Sequence, residues 1–153
     1  MQINTSNSTV SFTIKKLFFL TVTGTFPTVK GNVELNTSDL SNAKIDLEIP
    51  IAGLSTKNAK RDEHLLQEDF FNAEKFPVIT FKSTEITKKG ELYWAKGALS
   101  MAGTTKIVEI PFDFNNNRAT GSLNISRLDF KVGKIPTFVA AENVAITFDC
   151  SLK

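Results

Sequence analysis

The sequence has little of what most active sites are built from. Among its 153 residues there is one cysteine, one histidine, one tryptophan and one tyrosine. The lone Cys150 excludes an internal disulfide framework and any multi-cysteine metal site. The lone His64 excludes a histidine-rich metal centre. No Gly-x-Ser-x-Gly elbow and no glycine-rich phosphate loop occurs. Charge of one sign is also lacking: 18 Lys and Arg face 16 Asp and Glu, for a net charge of +2. That is too even for the basic footprint of a nucleic-acid binder. The longest wholly apolar run is Leu17-Phe18-Phe19-Leu20, far short of the roughly 20 residues that cross a bilayer, so membrane insertion is not expected. No basic segment leading into an apolar run follows Met1, so a secretory signal is not expected either. The chain as it stands predicts a cytoplasmic location, and a periplasmic or extracellular one if it is a trimmed mature form.

What the chain does have is phenylalanine, 13 in all. Phe supplies bulk without a polar handle, which suits a large dry interior. The length predicts one domain over residues 1–153, large enough to bury a core without disulfides or metals.

Period-two alternation dominates the pattern, as in strands with one dry and one wet face. Val10, Phe12 and Ile14 alternate with polar residues, as do Ala43, Ile45, Leu47, Ile49 and Ile51. Val108, Ile110, Phe112 and Phe114 repeat the habit, followed by Leu123 and Ile125, then Val144, Ile146 and Phe148. Weaker strands are predicted over 20–26, 29–35, 78–83 and 92–100. Lys88-Lys89-Gly90, Ala102-Gly103-Thr104 and Asn115-Asn116-Asn117 read as hairpin turns. Gly24 and Gly97 lie inside strand patterns, where glycine marks a bulge or bend, and Pro50 and Pro111 mark edges or bulges. One segment, 58–67, is built from helix formers with Asn58 as N-cap. The expected fold is therefore all-β: an eight-stranded antiparallel barrel, with the short helix at about residues 58–67 closing one end. A sheet that closes in this way loses its exposed edges.

Two readings of the interior stay open on periodicity alone: Phe rings that meet across the axis, or Phe rings that line a dry tunnel. The polar cluster Arg61-Asp62-Glu63-His64 is likewise either a helix face tied to its neighbours or a polar gate at a barrel mouth. A third reading makes His64 an acid–base group acting on a small hydrophobic substrate.

A longer pattern narrows this. Thr56-x-Asn58-x-x-Arg61-Asp62-x-His64-Leu65, then Asp69-Phe70-Phe71, then Phe76-Pro77-x-Ile79-Thr80-Phe81-Lys82-Ser83-Thr84 closely resembles the central block of the YceI-like family. Lys96-Gly97-x-Leu99-Ser100-Met101-x-Gly103-x-Thr105-Lys106 is similar to the family's strand–turn–strand signature, and Ser126-Arg127-Leu128-Asp129-Phe130 to its Arg-x-Asp-Phe element. The opening 7–14 and the Gly24-Thr25-Phe26 step are similar too, so the likeness covers nearly the whole chain.

The resemblance implies a lipocalin-like barrel around an elongated apolar tunnel. It also implies non-enzymatic binding or carriage of a long-chain amphiphile, such as a polyisoprenoid, an isoprenoid quinone or a fatty-acid derivative. No cofactor other than such a lipid is expected. Strand parity then nominates Val10, Phe12, Ile14, Val22, Leu47, Ile49, Phe81, Val108, Ile110, Phe112, Ile125, Ile146 and Phe148 as tunnel lining. Leu65, Leu66, Phe70 and Phe71 would form a lid, with Arg61, Asp62 and His64 as gate candidates. A stress-related interaction module with a filled interior is the competing reading, and an exposed seam between imperfectly paired strands would favour a homodimer. The chain departs from the family where Asn7 and Lys16 stand at places that often carry His, and where Lys131-Val132 precede Gly133.

Overall fold

A computed structural model describes residues 1–16, 20–133, 137 and 140–153. Three of the four residues in the apolar run 17–20 fall outside the described residues. The elements are β1 (Thr9–Lys16), β2 (Leu20–Phe26), β3 (Lys30–Glu34), β4 (Lys44–Pro50), α1 (Ala59–Leu65), β5 (Val78–Lys89), β6 (Leu92–Met101), β7 (Thr104–Asn115), β8 (Arg118–Ser126) and β9 (Asn143–Ser151). Two single 3₁₀ turns, Thr5–Asn7 and Leu40–Asn42, complete the described set.

All nine strands join one sheet in the order β2-β1-β9-β8-β7-β6-β5-β4-β3, and every recorded ladder is antiparallel. Its two edge strands, β2 and β3, are consecutive in the chain with three residues between them. Such a link spans at most about 14 Å, so the sheet must curl until its edges meet.

Alternation along the order gives β2 and β3 the same direction. They act as one bent strand that pairs with β1 over its first half and with β4 over its second. The expected eight-stranded barrel thus counts β2 and β3 as one strand of its nine hydrogen-bonded segments, with the break at Pro27-Thr28-Val29, where proline has no N–H to give a ladder.

No ladder joins the two edges to each other among the described residues. Short segments cap them instead. Thr25 exchanges both backbone bonds with Ser55, at 2.9 and 3.0 Å. The N-terminal residues pair along β3, with Ile3 N–H to Gly31 O at 3.0 Å and Val33 N–H to Met1 O at 2.8 Å.

The turns fold as their residues dictate. Ala102-Gly103 and Asn116-Asn117 take positive φ at both positions (51° and 84°, 50° and 57°), the geometry that matches tight two-residue hairpins to sheet twist. Gly97 sits opposite a bulge. Ser83 pairs with Gly97 and Glu85 with Lys96, leaving Thr84 as the extra residue on β5. A Cβ at Gly97 would run into the Lys82 carbonyl. The bulge reverses strand parity, so Ile79 and Phe81 before it and Ile86 after it are all buried. Pro50 ends β4, and the β7–β8 ladder runs from Asp113 to Asn115, stopping two residues short of Pro111.

α1 begins at the expected cap: Asn58 accepts from the Arg61 N–H at 3.1 Å. It ends two residues earlier than predicted, at Leu65, because Leu66 and Gln67 turn back to bond Glu63 and His64 carbonyls.

Candidate functional site

Strand directions define two ends of the curled sheet. The end reached by the close of β1, β4, β6 and β8 also receives α1, which lies between β4 and β5. We call this the helix end. At the far end Ile3 bridges Leu152, and Gln2 bridges Asn32.

Inside the sheet lies a cavity of about 460 Å³. Buried apolar side chains form one cluster containing Ile3, Val33, Phe112 and Leu152, and a second containing Phe26, Ile51, Phe71 and Phe130. The cavity touches members of both.

Its hollowness has a specific cause. Phe12 pairs across the ladder with Gly24, and Phe148 with Gly121. In each pair the Phe ring lies over the glycine: a Cβ at Gly24 would run into the tip of the Phe12 ring, and one at Gly121 into that of Phe148. Rings laid flat on the wall in this way leave the axis open. A methyl at Gly24 should lift the Phe12 ring into the lumen. The Gly24→Ala protein is accordingly expected to fold while holding at least about threefold less long-chain probe than the parent, since a filled void excludes its guest. Unchanged capacity would show that the ring is not what keeps the lumen open. Gly121 is a poorer test, because a Cβ there also meets the Pro111 carbonyl.

The cavity wall includes Val10, Phe12, Ile14, Val22, Leu47, Ile49, Leu65, Phe70, Phe71, Phe81, Ile110, Phe112, Ile125, Ile146 and Phe148 of the expected set, together with Arg61 and His64. Leu66, Val108 and Asp62 are not on it. Val108 points inward but is taken up by side-chain packing against both apolar clusters. Leu66 packs with the second cluster beside α1. Asp62 turns away to accept from both the backbone N–H and the hydroxyl of Thr56.

Thr56, only 5% exposed, is the hub of the polar cluster. Arg61 donates from Nε to its Oγ1 at 2.8 Å and from Nη2 to its carbonyl at 2.9 Å. This fastens α1 to the loop after β4. His64 is set edge-on to Phe70, at 5.0 Å between ring centres, with its Nε2 3.7 Å from Asp69. The cluster is thus a helix anchor through Asp62 and Arg61, while Arg61 and His64 also border the cavity.

Several wall residues escape pattern reading. Leu123, Val144 and Phe114 share the parity of expected residues, and so does Lys16, whose charge argued against an inward place. Cys150, one step beyond the alternation read for the last strand, is 6% exposed and lies on the cavity wall. Its parity with Ile146 and Phe148 explains this. Burial pushes its thiol up to about 11, with the Asp149 carboxylate adding to the rise. Arg127, which follows β8, is 5% exposed and borders the cavity.

The Cys150 environment makes a measurable difference. A thiol that titrates near 11 instead of near 9 carries about a hundredfold less thiolate at neutral pH. Iodoacetamide is expected to modify Cys150 at least about a hundredfold more slowly in the folded protein than in urea. A raised thiol favours the folded state fully below its unfolded value. That contribution is lost as pH climbs through about 11. Equal alkylation rates in the two states would place Cys150 in contact with solvent.

Among the described residues no group of three or more His, Cys, Asp and Glu gathers as a metal site would require, and no helix is long and apolar enough to cross a membrane.

Comparison with known proteins adds a family and a fold. The YceI-like domain family matches residues 1–152. A UPF0312 protein of Photorhabdus laumondii is 38% identical over 99 residues, 65% of this chain and 52% of that protein. One of Shewanella denitrificans is 32% identical over 106 residues, 69% of this chain and 56% of that protein. The chain therefore spans about half the length of the curated relatives it matches. Among solved structures, BcnA of Burkholderia cenocepacia superposes with a TM-score of 0.89 at 24% identity, covering 97% of this chain and 98% of that one. A YCEI protein of Campylobacter jejuni gives 0.73 at 28% identity, over 89% and 86%. A polyisoprenoid-binding domain from Saccharophagus degradans gives 0.76 at 15% identity, over 97% and 95%; at that identity the likeness is one of fold.

Proposed function

The chain belongs to the YceI-like domain family, and on that premise we propose that it is a non-enzymatic binder or carrier that takes the apolar tail of a long-chain amphiphile into its cavity. The observation that carries this reading is the apolar hollow of about 460 Å³ inside the sheet. A polyisoprenoid, an isoprenoid quinone or a fatty-acid derivative has the required tail, and the Saccharophagus degradans neighbour is described as binding the first of these.

The driving force is removal of hydrocarbon from water, about 0.8 kcal/mol per buried CH₂. Ten such groups supply roughly 8 kcal/mol gross, of which chain ordering and lost translation take back a large share. Walls of this kind discriminate poorly among tails of similar girth, so selectivity along the tail should be loose and the head should decide.

Organic extraction of the purified protein followed by mass spectrometry tests the reading. A stoichiometric long-chain species is the expected result. An empty protein that also fails to take up N-phenyl-1-naphthylamine, a neutral apolar probe, would favour an interaction module that works through its outer surface. Turnover of a small hydrophobic substrate, lost on His64→Ala, would favour the enzyme reading.

A further inference from the structure

Thirty-odd side chains border the cavity, and their formally charged members, Lys16, Arg61 and Arg127, are all cations. Apart from the Cys150 thiol, the polar groups on its wall are Lys16, Arg61, His64 and Arg127. Among the described residues no Asp, Glu, Asn, Gln, Ser or Thr side chain is on it.

The topology gathers these four at one end. Lys16 closes β1 and bridges to Ala140, Arg61 and His64 lie on α1, and Arg127 follows the last residue of β8. All are at the helix end. The far end, around Ile3, Val33 and Leu152, presents apolar groups and the Cys150 thiol to the cavity, and no charge.

From this we propose that the cavity takes amphiphiles with an anionic head, a carboxylate or a phosphate monoester, and holds that head at the helix end with the tail directed toward Ile3 and Leu152. The proposal rests on the tail-binding reading above and adds the charge and polarity of the guest.

The nearby acids all lie off the cavity wall and are bonded or exposed elsewhere. Asp62 is committed to Thr56, and Glu142 accepts from Ser126 Oγ at 2.8 Å. Asp69 meets His64 with both side chains more than half exposed. Asp129 is exposed and off the wall. The Lys16 ammonium makes no hydrogen bond or ion pair among the described residues, and of the Arg61 nitrogens Nε and Nη2 are committed to Thr56. Arg127 gives its donors to backbone carbonyls of the 132–141 segment and contributes charge rather than new bonds. In a water-poor setting two or three such charges act on an anion far more strongly than they would in bulk water. An uncharged head leaves Lys16, among the described residues, without a counter-ion.

Displacement of bound N-phenyl-1-naphthylamine near neutral pH tests this. Oleate, oleyl alcohol and oleylamine share one tail; geranylgeranyl monophosphate and geranylgeraniol share another. Oleate is expected to displace the probe at a concentration at least about tenfold lower than oleyl alcohol, with oleylamine weakest and the gap shrinking as salt is raised. The pair with the wider anion-to-alcohol gap names carboxylate or phosphate as the head. In Lys16→Gln the gap should narrow to about threefold, and Lys16→Glu should shift the order toward oleylamine; Lys16 is on no packing cluster, so circular dichroism should report an intact fold. Equal displacement by acid and alcohol, or a gap that neither Lys16 variant changes, overturns the anionic head while leaving tail binding intact. Failure of the probe and of every competitor to bind overturns the tail-binding reading itself.

Discussion

Ile110→Arg is expected to abolish co-purification of long-chain material while the barrel stays folded. Ile110 is half-buried on β7, opposite Ala95 on β6, with its side chain on the cavity wall. The arginine stem can follow the apolar wall, but its guanidinium then sits in the space a hydrocarbon tail would occupy. A tail could share that space only by desolvating the charge, at a cost of several kcal/mol. Water can fill the hollow instead, so the unliganded protein tolerates the change far better than the complex does. Binding of N-phenyl-1-naphthylamine should fall at least about a hundredfold, as a loss of nearly 3 kcal/mol would give, with the far-ultraviolet spectrum preserved.

Phe112, the neighbouring inward position on β7, gives the contrast. It is 4% exposed and stacks on Tyr93 with ring centres 5.5 Å apart and planes at 24°. Truncating such a ring costs about 3–5 kcal/mol, and Phe112→Asp adds a buried carboxylate, so this variant should lose the fold. If instead Ile110→Arg unfolds the protein, that position is packing core and the hollow is smaller than it looks. Retention of a bound lipid by folded Ile110→Arg would place the guest elsewhere.

Much of this architecture is legible in period-two patterns. Strands β1, β4, β7 and β9 were readable from single residues such as Phe12, Leu47, Ile110 and Phe148, because each has one dry and one wet face and the pattern does not slip. The second half of β5 was not readable: Thr84 inserts one residue, and the inward set passes from Phe81 to Ile86 across a polar stretch. The pattern already separates 20–26 from 29–35; that the two are halves of one bent strand, so that nine segments make an eight-stranded barrel, is a matter of pairing partners rather than of local pattern. At the site, parity nominated thirteen strand positions and all but Val108 are on the wall, yet Lys16 and Cys150 were missed for opposite reasons. Lys16 has inward parity that its charge argues against, and Cys150 continues the alternation of Val144, Ile146 and Phe148 one step past where it was read. Arg127 follows the last residue of its strand, so no periodicity reaches it. Only the recurring Arg-x-Asp-Phe element singled it out.

That residue carries the second large expectation, a fall in melting temperature of about 10–20 °C for Arg127→Met. Among the described residues its guanidinium donates to four backbone carbonyls: Nε to Ala141 at 2.9 Å, Nη1 to Val132 at 3.2 Å and Gly133 at 2.9 Å, and Nη2 to Ala140 at 2.8 Å. These carbonyls belong to the two sides of the segment that follows β8 and leads into β9, so one side chain holds both sides together. Burial lowers the guanidinium from its ordinary value, and nearby Glu142 counters part of that fall; it stays charged in either case, because arginine titrates too high to release its proton. Methionine fills a similar volume but leaves the carbonyls without donors. With buried acceptors costing about 1–3 kcal/mol each when unpaired, and some of that relieved by water, a net loss of about 3–5 kcal/mol is expected. For a domain of this size that corresponds to roughly the stated fall in melting temperature. Arg127→Lys should recover less than half of the loss, since an ammonium has three donors around a point and cannot reach carbonyls spread in a plane. Thermal unfolding of both variants in lipid-free protein separates this role from ligand binding. A Met variant melting within about 3 °C of the parent would show that the segment holds its place through the burial of Phe130 and Val132 alone.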